Sequence, residues 1–339
     1  MERKLASIQI IRDIQSIPDA EFIETATIND WKIVINKREG FKVGDKVIYC
    51  EIDSFLPIRE EFEFLRKTSY KKVLDQEGFR LKTIKLKGQI SQGLILPLNI
   101  LDGEFNVNDD VTELLGIVKY DPPIDPSLAG LAKGNFPSFI QKTDEERIQN
   151  LTDTYEKFKN MSFYATEKLD GTSTTYFVKD GVFGYCSRNL ELQPCEIGSE
   201  NTQWRIVKKY ELDRKLIEFN KETNRNIAIQ GELIGNGIQN NNYKLKEQDY
   251  FVFTIFDIDN YKKLGLNEIL DLSYKFKLNT VPIIKEYKEL PSIEKLIEIA
   301  DGQSALNHNS RREGLVFRSH DNKISFKVIS NKYLLKNEQ

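Results

Sequence analysis

The chain has 339 residues, 30% of them charged and 40% hydrophobic, with a formal net charge of −3. That length accommodates two domains with a core each, and the composition excludes a disordered chain or a membrane protein. The slight negative balance does not announce nucleic-acid binding, which would need a local basic surface.

Cys50, Cys186 and Cys195 are too few for a disulfide framework and fit a reducing compartment. The amino terminus, Met1 to Leu5, lacks the apolar stretch of a signal peptide, so a cytoplasmic protein is expected. His308 and His320 are the only histidines, which nearly excludes a Cys/His zinc site. Any metal here should be held by oxygen.

Residues 1–117 read as short strands joined by turns. Leu5–Ile11, Glu24–Ile28, Trp31–Asn36, Asp45–Ile52, Phe79–Lys87 and Gly93–Pro97 alternate or run apolar and contain many β-branched residues. Asn29-Asp30, Glu39-Gly40 and Lys87-Gly88 are turn signals between them. Such a series suggests a small barrel, and an OB-fold is the natural candidate. Within Phe79–Lys87, Arg80 and Lys82 share one face and Lys85 and Lys87 the other. A bulge near Thr83-Ile84 would gather all four into a phosphate-tracking surface. The plainer reading is solvated charge, with Phe55, Tyr70 and Phe79 in the core rather than stacked on bases.

Residues 118–150 change character. Tyr120-Asp121-Pro122-Pro123-Ile124-Asp125-Pro126 favours stiff, extended chain and marks the domain boundary. Thr143, with Glu146 three residues on, predicts a capped helix from which Lys142 or Arg147 would reach a phosphate. The domains are therefore expected at 1–117 and 151–339, with 118–150 as linker and lead-in.

The densest chemistry lies at Thr166-Glu167-Lys168-Leu169-Asp170-Gly171-Thr172. In extended chain Lys168 and Asp170 project to one side and Leu169 to the other. A lysine amine that has lost its proton can attack phosphorus, and Asp170 can hold a hydrated divalent cation. Gly171 permits a sharp turn or a close approach. Thr172–Val178 and Val182–Cys186 form a predicted hairpin ending in Ser187-Arg188-Asn189. Arg205–Phe219 has the spacing of an amphipathic helix. Asn226–Gly235 reads as a buried strand interrupted by Gly231, and its Glu232 needs a partner. Phe251–Ile258 is another apolar strand. A helix is predicted over Ser292–Ala300. Glu313 precedes a strand, and Lys327 lies inside the last strand, Lys323–Ile329. No P-loop of the form GxxxxGK[ST] is present, which argues against a Walker-type ATPase.

In this order, Lys168-Leu169-Asp170-Gly171, Ser187-Arg188-Asn189, Gly231-Glu232-Leu233, Phe256-Asp257-Ile258, Glu313-Gly314-Leu315-Val316 and Ser325-Phe326-Lys327-Val328 resemble motifs I, Ia, III, IIIa, IV and V of the covalent nucleotidyltransferases. The chain is most similar to the ATP-dependent RNA ligases that carry an OB domain ahead of the catalytic domain. The resemblance implies an α+β fold: an amino-terminal OB barrel, then an ATP-grasp-like domain of antiparallel sheets and helices. It implies an enzyme joining 3′-OH and 5′-phosphate RNA ends, at nicks in duplex with RNA on the 3′-OH side, as a monomer. DNA ligase or capping-like chemistry is the alternative; those enzymes mostly place the OB domain last. Lys168 would attack ATP, and Lys327 would stabilise the α-phosphate. Arg188 would contact ribose or phosphate, and Glu232 a ribose hydroxyl or metal. Phe256 would stack on adenine, and Glu167 would meet the base edge through backbone. Asp170 and Glu313, with Glu232, would hold Mg²⁺ or Mn²⁺, which helps lower the pKa of Lys168. Arg80, Lys82, Lys85, Lys87 and Arg147 would contact nucleic acid. Many relatives carry two motif V lysines one residue apart; here Ile329 stands at the second position, leaving Lys323 or Lys332 as substitutes.

Overall fold

The computed structural model describes residues 4–73, 76–120, 130–195 and 200–337. The proline-rich boundary at 121–126 falls outside them. The chain divides into two units: Met1–Pro123 with Gln149–Asp153 and Leu334–Gln339, and Ile124–Ile148 with Thr154–Tyr333.

The first unit is built of short antiparallel strands. Ala6–Ile10, Lys46–Cys50 and Leu94–Pro97 form one sheet, and Asp13–Ser16, Ile23–Ile28 and Trp31–Asn36 another. Val118–Lys119, Ser54–Pro57, Gln76–Arg80 and Tyr70–Val73 form a third, and Thr83–Leu86 pairs with Gln89–Gln92 as a hairpin. Ala6, Ile8, Ile48, Leu56, Phe62 and Phe79 are fully buried at its centre. The larger of these side chains each contribute about 1.5–3 kcal/mol by leaving water. Gln149–Asp153 packs here through polar contacts. The Trp31 indole N–H donates to Asn150 Oδ1 at 2.7 Å, and the Asn150 amide donates to Glu51 at 2.7 Å. Thr152 Oγ1 donates to Asp30 at 2.7 Å. Gln149–Asp153, which spans the end of the expected 118–150 lead-in and the start of the expected 151–339 domain, belongs to the first unit.

The basic stretch 79–87 is not one strand. Gln76–Arg80 and Thr83–Leu86 lie in separate sheets. The Lys87-Gly88 turn joins Leu86 to Gln89, with φ of 47° at Lys87 and 83° at Gly88. That geometry is the one a tight hairpin demands.

The second unit contains two antiparallel-dominated sheets. The larger runs Ala132–Asn135, Leu190–Leu192, Val182–Cys186, Thr172–Lys179, Ile227–Ile234, Asp249–Asp257 and Lys262–Lys263, with Asn279–Thr280 parallel to Asp249–Asp257. The smaller runs Ile283–Tyr287, Phe163–Lys168, Gly314–Ser319 and Ser325–Ile329. Strand alternation gives the larger sheet two unlike faces. Tyr176, Val178, Ile227, Ile229, Leu233 and Val252 pack under the helices Thr202–Tyr210, Leu212–Thr223 and Leu266–Phe276. The opposite face is apolar at one end, where Phe177, Ala228 and Phe256 meet Phe139 and Ile140. At the other end it carries Ser173, Gln230 and Glu232. Gly231 is required because a Cβ there would stand 2.5 Å from the Tyr250 ring. Tyr250 is fully buried, and its hydroxyl donates to Thr174 or Ile229 carbonyls.

The single helix expected over Arg205–Phe219 is two helices, broken at Glu211, whose φ is 55°. Thr143–Arg147 is not helical. It runs beside the last strand instead: the Lys327 amide donates to the Glu146 carbonyl at 2.8 Å, and Arg147 bridges Lys327 in parallel. Pairing with a strand edge satisfies those backbone groups as a helix would have done.

Candidate active site

Three strands of the smaller sheet bring the central lysines together. Lys168 lies opposite Gly314, and Val316 lies between Thr166 and Lys327. Paired residues in an antiparallel ladder share a face, so Thr166, Lys168, Val316 and Lys327 line one side. The other side is core, where Phe163, Phe317 and Phe326 pack ring to ring. Gly314 is obligatory here: a Cβ would stand 2.2 Å from the Val328 carbonyl oxygen. Beyond Lys168 the chain leaves the strand. Leu169 turns away into a cluster with Ile234, Tyr243 and Phe251, while Asp170 returns toward Lys168, as the i, i+2 spacing implies. Gly171 allows close approach, since its Cβ would meet the Leu233 carbonyl at 2.3 Å.

Lys168 sits in a cage of carboxylates. Its Nζ is 2.7 Å from Glu313 Oε1. Burial alone would push its pKa down, but Glu313, Glu232 and Asp170 outweigh burial and hold it above the ordinary lysine value. The surrounding carboxylates thus favour the charged amine. Glu232 is pushed up to about 8, by burial first and then by Glu313 and Asp170, against the pull of Lys168 and Arg188. Burial likewise raises Glu313 against the pull of Lys168. Three carboxylates around one lysine leave excess negative charge, which suits a divalent cation. Among the described residues no group of three or more His, Cys, Asp or Glu side chains converges on one point. The donor set fits an ion that keeps much of its water, rather than one stripped into a protein cage.

Asp170 is held by residues that sequence reading missed. Asn242 Nδ2 donates to Asp170 Oδ2 at 2.8 Å, and the Asp170 amide donates to the Tyr243 hydroxyl at 2.5 Å. The Tyr333 hydroxyl is its third partner, and burial followed by Glu313 and Asp170 pushes that phenol's pKa far up. All three residues lie on elements distant in sequence from Lys168, so no local pattern marks them.

Lys327 is mostly buried and pairs with Asp144 at 2.9 Å. Burial first, then Arg147 and Lys168, bring its pKa down to about 8 against the support of Asp144. Arg147 is only 6% exposed. It is thus a buried cation beside Lys327 and not a surface contact for nucleic acid. Neither candidate for a second motif V lysine reaches this site. Lys323 precedes the strand and pairs with Asp321 at 3.1 Å, and Lys332 pairs with Asp301 at 3.4 Å. The neighbouring buried cations are instead Lys263 and Arg318, which flank Glu145 at 3.2 and 3.8 Å. Burial alone would raise the Glu145 carboxyl; Arg318, Lys263 and the Ser325 hydroxyl outweigh it and hold the pKa low.

Two aromatic and acidic assignments change. Phe256 is fully buried under Ile140 and Ile258, with Tyr261 edge-on at 5.1 Å, so its ring offers no face to a base. The half-buried aromatic on that strand is Phe253, which sits at a bulge in the ladder with Arg318 5.9 Å from its ring centre. Glu167 points away from Lys168, and its Oε2 accepts the Ala305 amide at 2.7 Å. Its own N–H donates to the Pro282 carbonyl at 2.9 Å, so that donor is spent. Burial raises the Glu167 pKa. Arg188 is exposed beyond the strand Val182–Cys186, close enough for its charge to act on Glu232.

The basic residues of the first unit are spread over two sheets and the chain between them. Arg80 stacks its guanidinium 4.2 Å from the Tyr120 ring centre. Lys82 lies between the two strands, Lys85 is exposed on the hairpin and Lys87 stands at its turn. The plainer reading of the aromatics describes Phe55 and Phe79, which are buried, but Tyr70 is 39% exposed.

An OB-fold domain model matches residues 5–98, and the RNA ligase family model matches residues 161–334. The chain belongs to the RNA ligase family. No curated protein gives a significant match. Solved structures of the Naegleria gruberi RNA ligase are similar over the whole length. An aspartate-to-alanine variant without ligand is 42% identical with a TM-score of 0.91, covering 99% of this chain and 98% of that one. A lysine-to-alanine variant with ATP and Mn is 42% identical with a TM-score of 0.90, covering 99% of each. The complex with PPi is 43% identical with a TM-score of 0.90, again covering 99% of each. The ligase thus has an OB-fold domain ahead of a sheet-rich α+β catalytic domain. Among its described residues no helix is long and apolar enough to cross a membrane.

Proposed function

We propose that this RNA ligase works through Lys168 as a covalent nucleophile toward ATP. The observation that carries the reading is the placement of the Lys168 amine 2.7 Å from Glu313, with Glu232 and Asp170 acting on it and Lys327 two strands away on the same face of the sheet. Lys168 gives up its proton and attacks the α-phosphorus. A P–N bond forms, and the P–O bond to pyrophosphate breaks. A 5′-phosphate oxygen then takes the adenylyl group and the amine is restored. Finally a 3′-OH attacks the capped 5′-phosphate, loses its proton and expels AMP.

The ligase's own groups divide this work. Lys327 meets the charge developing on the α-phosphate oxygens, which favours the transition state over the substrate. Arg188 meets ribose or phosphate, and Glu232 a ribose hydroxyl or metal. Phe253 and Val316 flank the base from opposite sheets, and the Glu167 carbonyl meets its edge. Asp170, Glu232 and Glu313 would hold Mg²⁺ or Mn²⁺ through water; the bound ion would supply positive charge that opposes the carboxylates' hold on the Lys168 proton. The complexes of the Naegleria enzyme with ATP and Mn and with PPi support this nucleotide and metal use. The substrate is RNA ends at nicks in duplex, with RNA on the 3′-OH side and the OB-fold unit contributing to its grip. The ligase acts as a monomer in the cytoplasm, where Cys50, Cys186 and Cys195 stay reduced.

The test is incubation with α-labelled ATP and Mg²⁺ or Mn²⁺, then denaturation, with Lys168→Ala alongside. A labelled band present in wild type and absent from the variant is expected. An equal band in both would remove Lys168 as the nucleophile. Absence of a band in protein shown by mass spectrometry to carry no AMP would remove the covalent mechanism.

A further inference from the structure

Lys327 poses a problem of storage. It is a buried amine whose side chain is 14% exposed, and Arg147 and Lys168 face it as fellow cations. The groups acting on it are Asp144 and Arg147 from the segment alongside, Lys168 from the strand Phe163–Lys168, and Glu313 from the start of the next strand. Glu313 is already committed to Lys168 at 2.7 Å. Asp144 is the carboxylate in direct contact with Lys327, at 2.9 Å.

Asp144 is placed by its neighbours. Glu145, next in the chain, bonds to Lys263 and to the Ser325 hydroxyl. Glu146 accepts the Lys327 amide through its carbonyl. The backbone is therefore pinned to the strand that carries Lys327, while the Asp144 side chain remains 43% exposed. It can leave the lysine without disturbing the ladder. A carboxylate oxygen and a phosphate oxygen are equivalent acceptors for an ammonium group.

We propose that Asp144 is a positioning residue for adenylyl transfer, standing in for phosphate on Lys327 and keeping that lysine charged and aimed until the nucleotide displaces it. The inference rests on the assignment of Lys327 to the α-phosphate. Without Asp144, the free ligase holds Lys327 against two cations with no direct counterion, and the amine sheds its proton at lower pH. Once the triphosphate is bound, its own charge does the work of Asp144. The effect therefore belongs to free enzyme and not to the ATP complex.

The test follows lysyl-AMP formation in the full-length ligase with ATP and Mg²⁺, for wild type, Asp144→Asn and Asp144→Glu, from about pH 6 to about pH 10. The kcat/KM for ATP reports the free enzyme and kcat the complex. In Asp144→Asn the alkaline limb of kcat/KM should move to lower pH, with a loss of about tenfold above the limb for each unit of movement. The limb of kcat should stay in place, and Asp144→Glu should restore the wild-type profile. A kcat/KM limb unchanged in Asp144→Asn, or one that moves equally in kcat, overturns the proposal. Failure of the parent reading is distinguishable, because it shows in wild type as an absent adduct or as a Lys327→Ala variant with undiminished adduct formation.

Discussion

On the proposed mechanism, Lys168 meets opposite demands before and during the reaction. Glu313, Glu232 and Asp170 favour its charged form, while the proposed attack on phosphorus needs the neutral amine. The same carboxylates that hold the proton are those proposed to hold the cation, so the charge that loads the site also readies the nucleophile. Lys327 has the reverse setting, with its pKa at about 8. Two lysines on one face of the sheet, separated by the strand Gly314–Ser319, are thus tuned apart by their counterions and burial. The aromatics also divide by environment. Phe256→Ala should cost about 3–5 kcal/mol of stability, because it empties a fully buried position. Phe253→Ala should cost less stability and weaken ATP in adduct formation by roughly tenfold, the loss expected for about 1.4 kcal/mol of stacking. Thermal unfolding and ATP titration of the two variants check this. Weaker ATP binding confined to Phe256→Ala would return the stacking role to that residue.

At the scale of elements, the site depends on how closely strands approach. Gly314 faces Lys168 across the ladder and leaves no room for a Cβ against the Val328 carbonyl or Ile329 Cα. Both obstacles are backbone, so Gly314→Ala must push neighbouring strands apart. A loss of about 1–3 kcal/mol is expected from such overpacking. Adduct formation should fall with it, since Lys168 and Lys327 lie on the strands that are displaced. Calorimetry with the α-labelled ATP assay would measure both, and an alanine variant with unchanged melting and labelling would contradict the close-packed geometry. The segment 144–147 shows why local signals mislead. Thr143 and Glu146 have capping-box spacing, yet Asp144 and Glu145 carry charges that buried lysine and arginine require. Those ion pairs and the edge of the last strand outweigh a helix cap's typical contribution of about 1 kcal/mol.

At the scale of the molecule, the two units are interleaved along the chain. Gln149–Asp153 lies in the OB-fold unit through Trp31, Glu51 and Asp30. Deleting residues 1–117 removes all three partners, so the fragment should melt below the full-length ligase. It should still form lysyl-AMP, because every residue assigned to that step lies in the second unit. Sealing of nicked RNA should fall further than adduct formation, by at least about tenfold if the OB-fold unit supplies even 1.4 kcal/mol of RNA binding. Parallel adduct and sealing assays on a fragment with verified circular dichroism provide the comparison. Equal loss of both activities in a folded fragment would contradict the division of labour.

The sequence by itself determined the fold class, the order of the motifs and most strands of the catalytic unit. Those features rest on short-range physics: a β-branched run marks Thr172–Lys179, an apolar run marks Ile227–Ile234, and a lysine and an aspartate two apart in extended chain share a side. Tertiary structure decided which side chains are free to act. It buried Phe256 and left Phe253 half-exposed, placed Arg147 beside Lys327, and put Lys323 outside its strand. It split the basic stretch 79–87 between sheets and set Tyr243, Asn242 and Tyr333 around Asp170. It also set the direction in which the Lys168 pKa moves, because Glu232 and Glu313 reach that amine from parts of the chain remote in sequence. Periodicity reports which face of an element a residue occupies, and only the packed neighbours report what covers that face and what charge it meets.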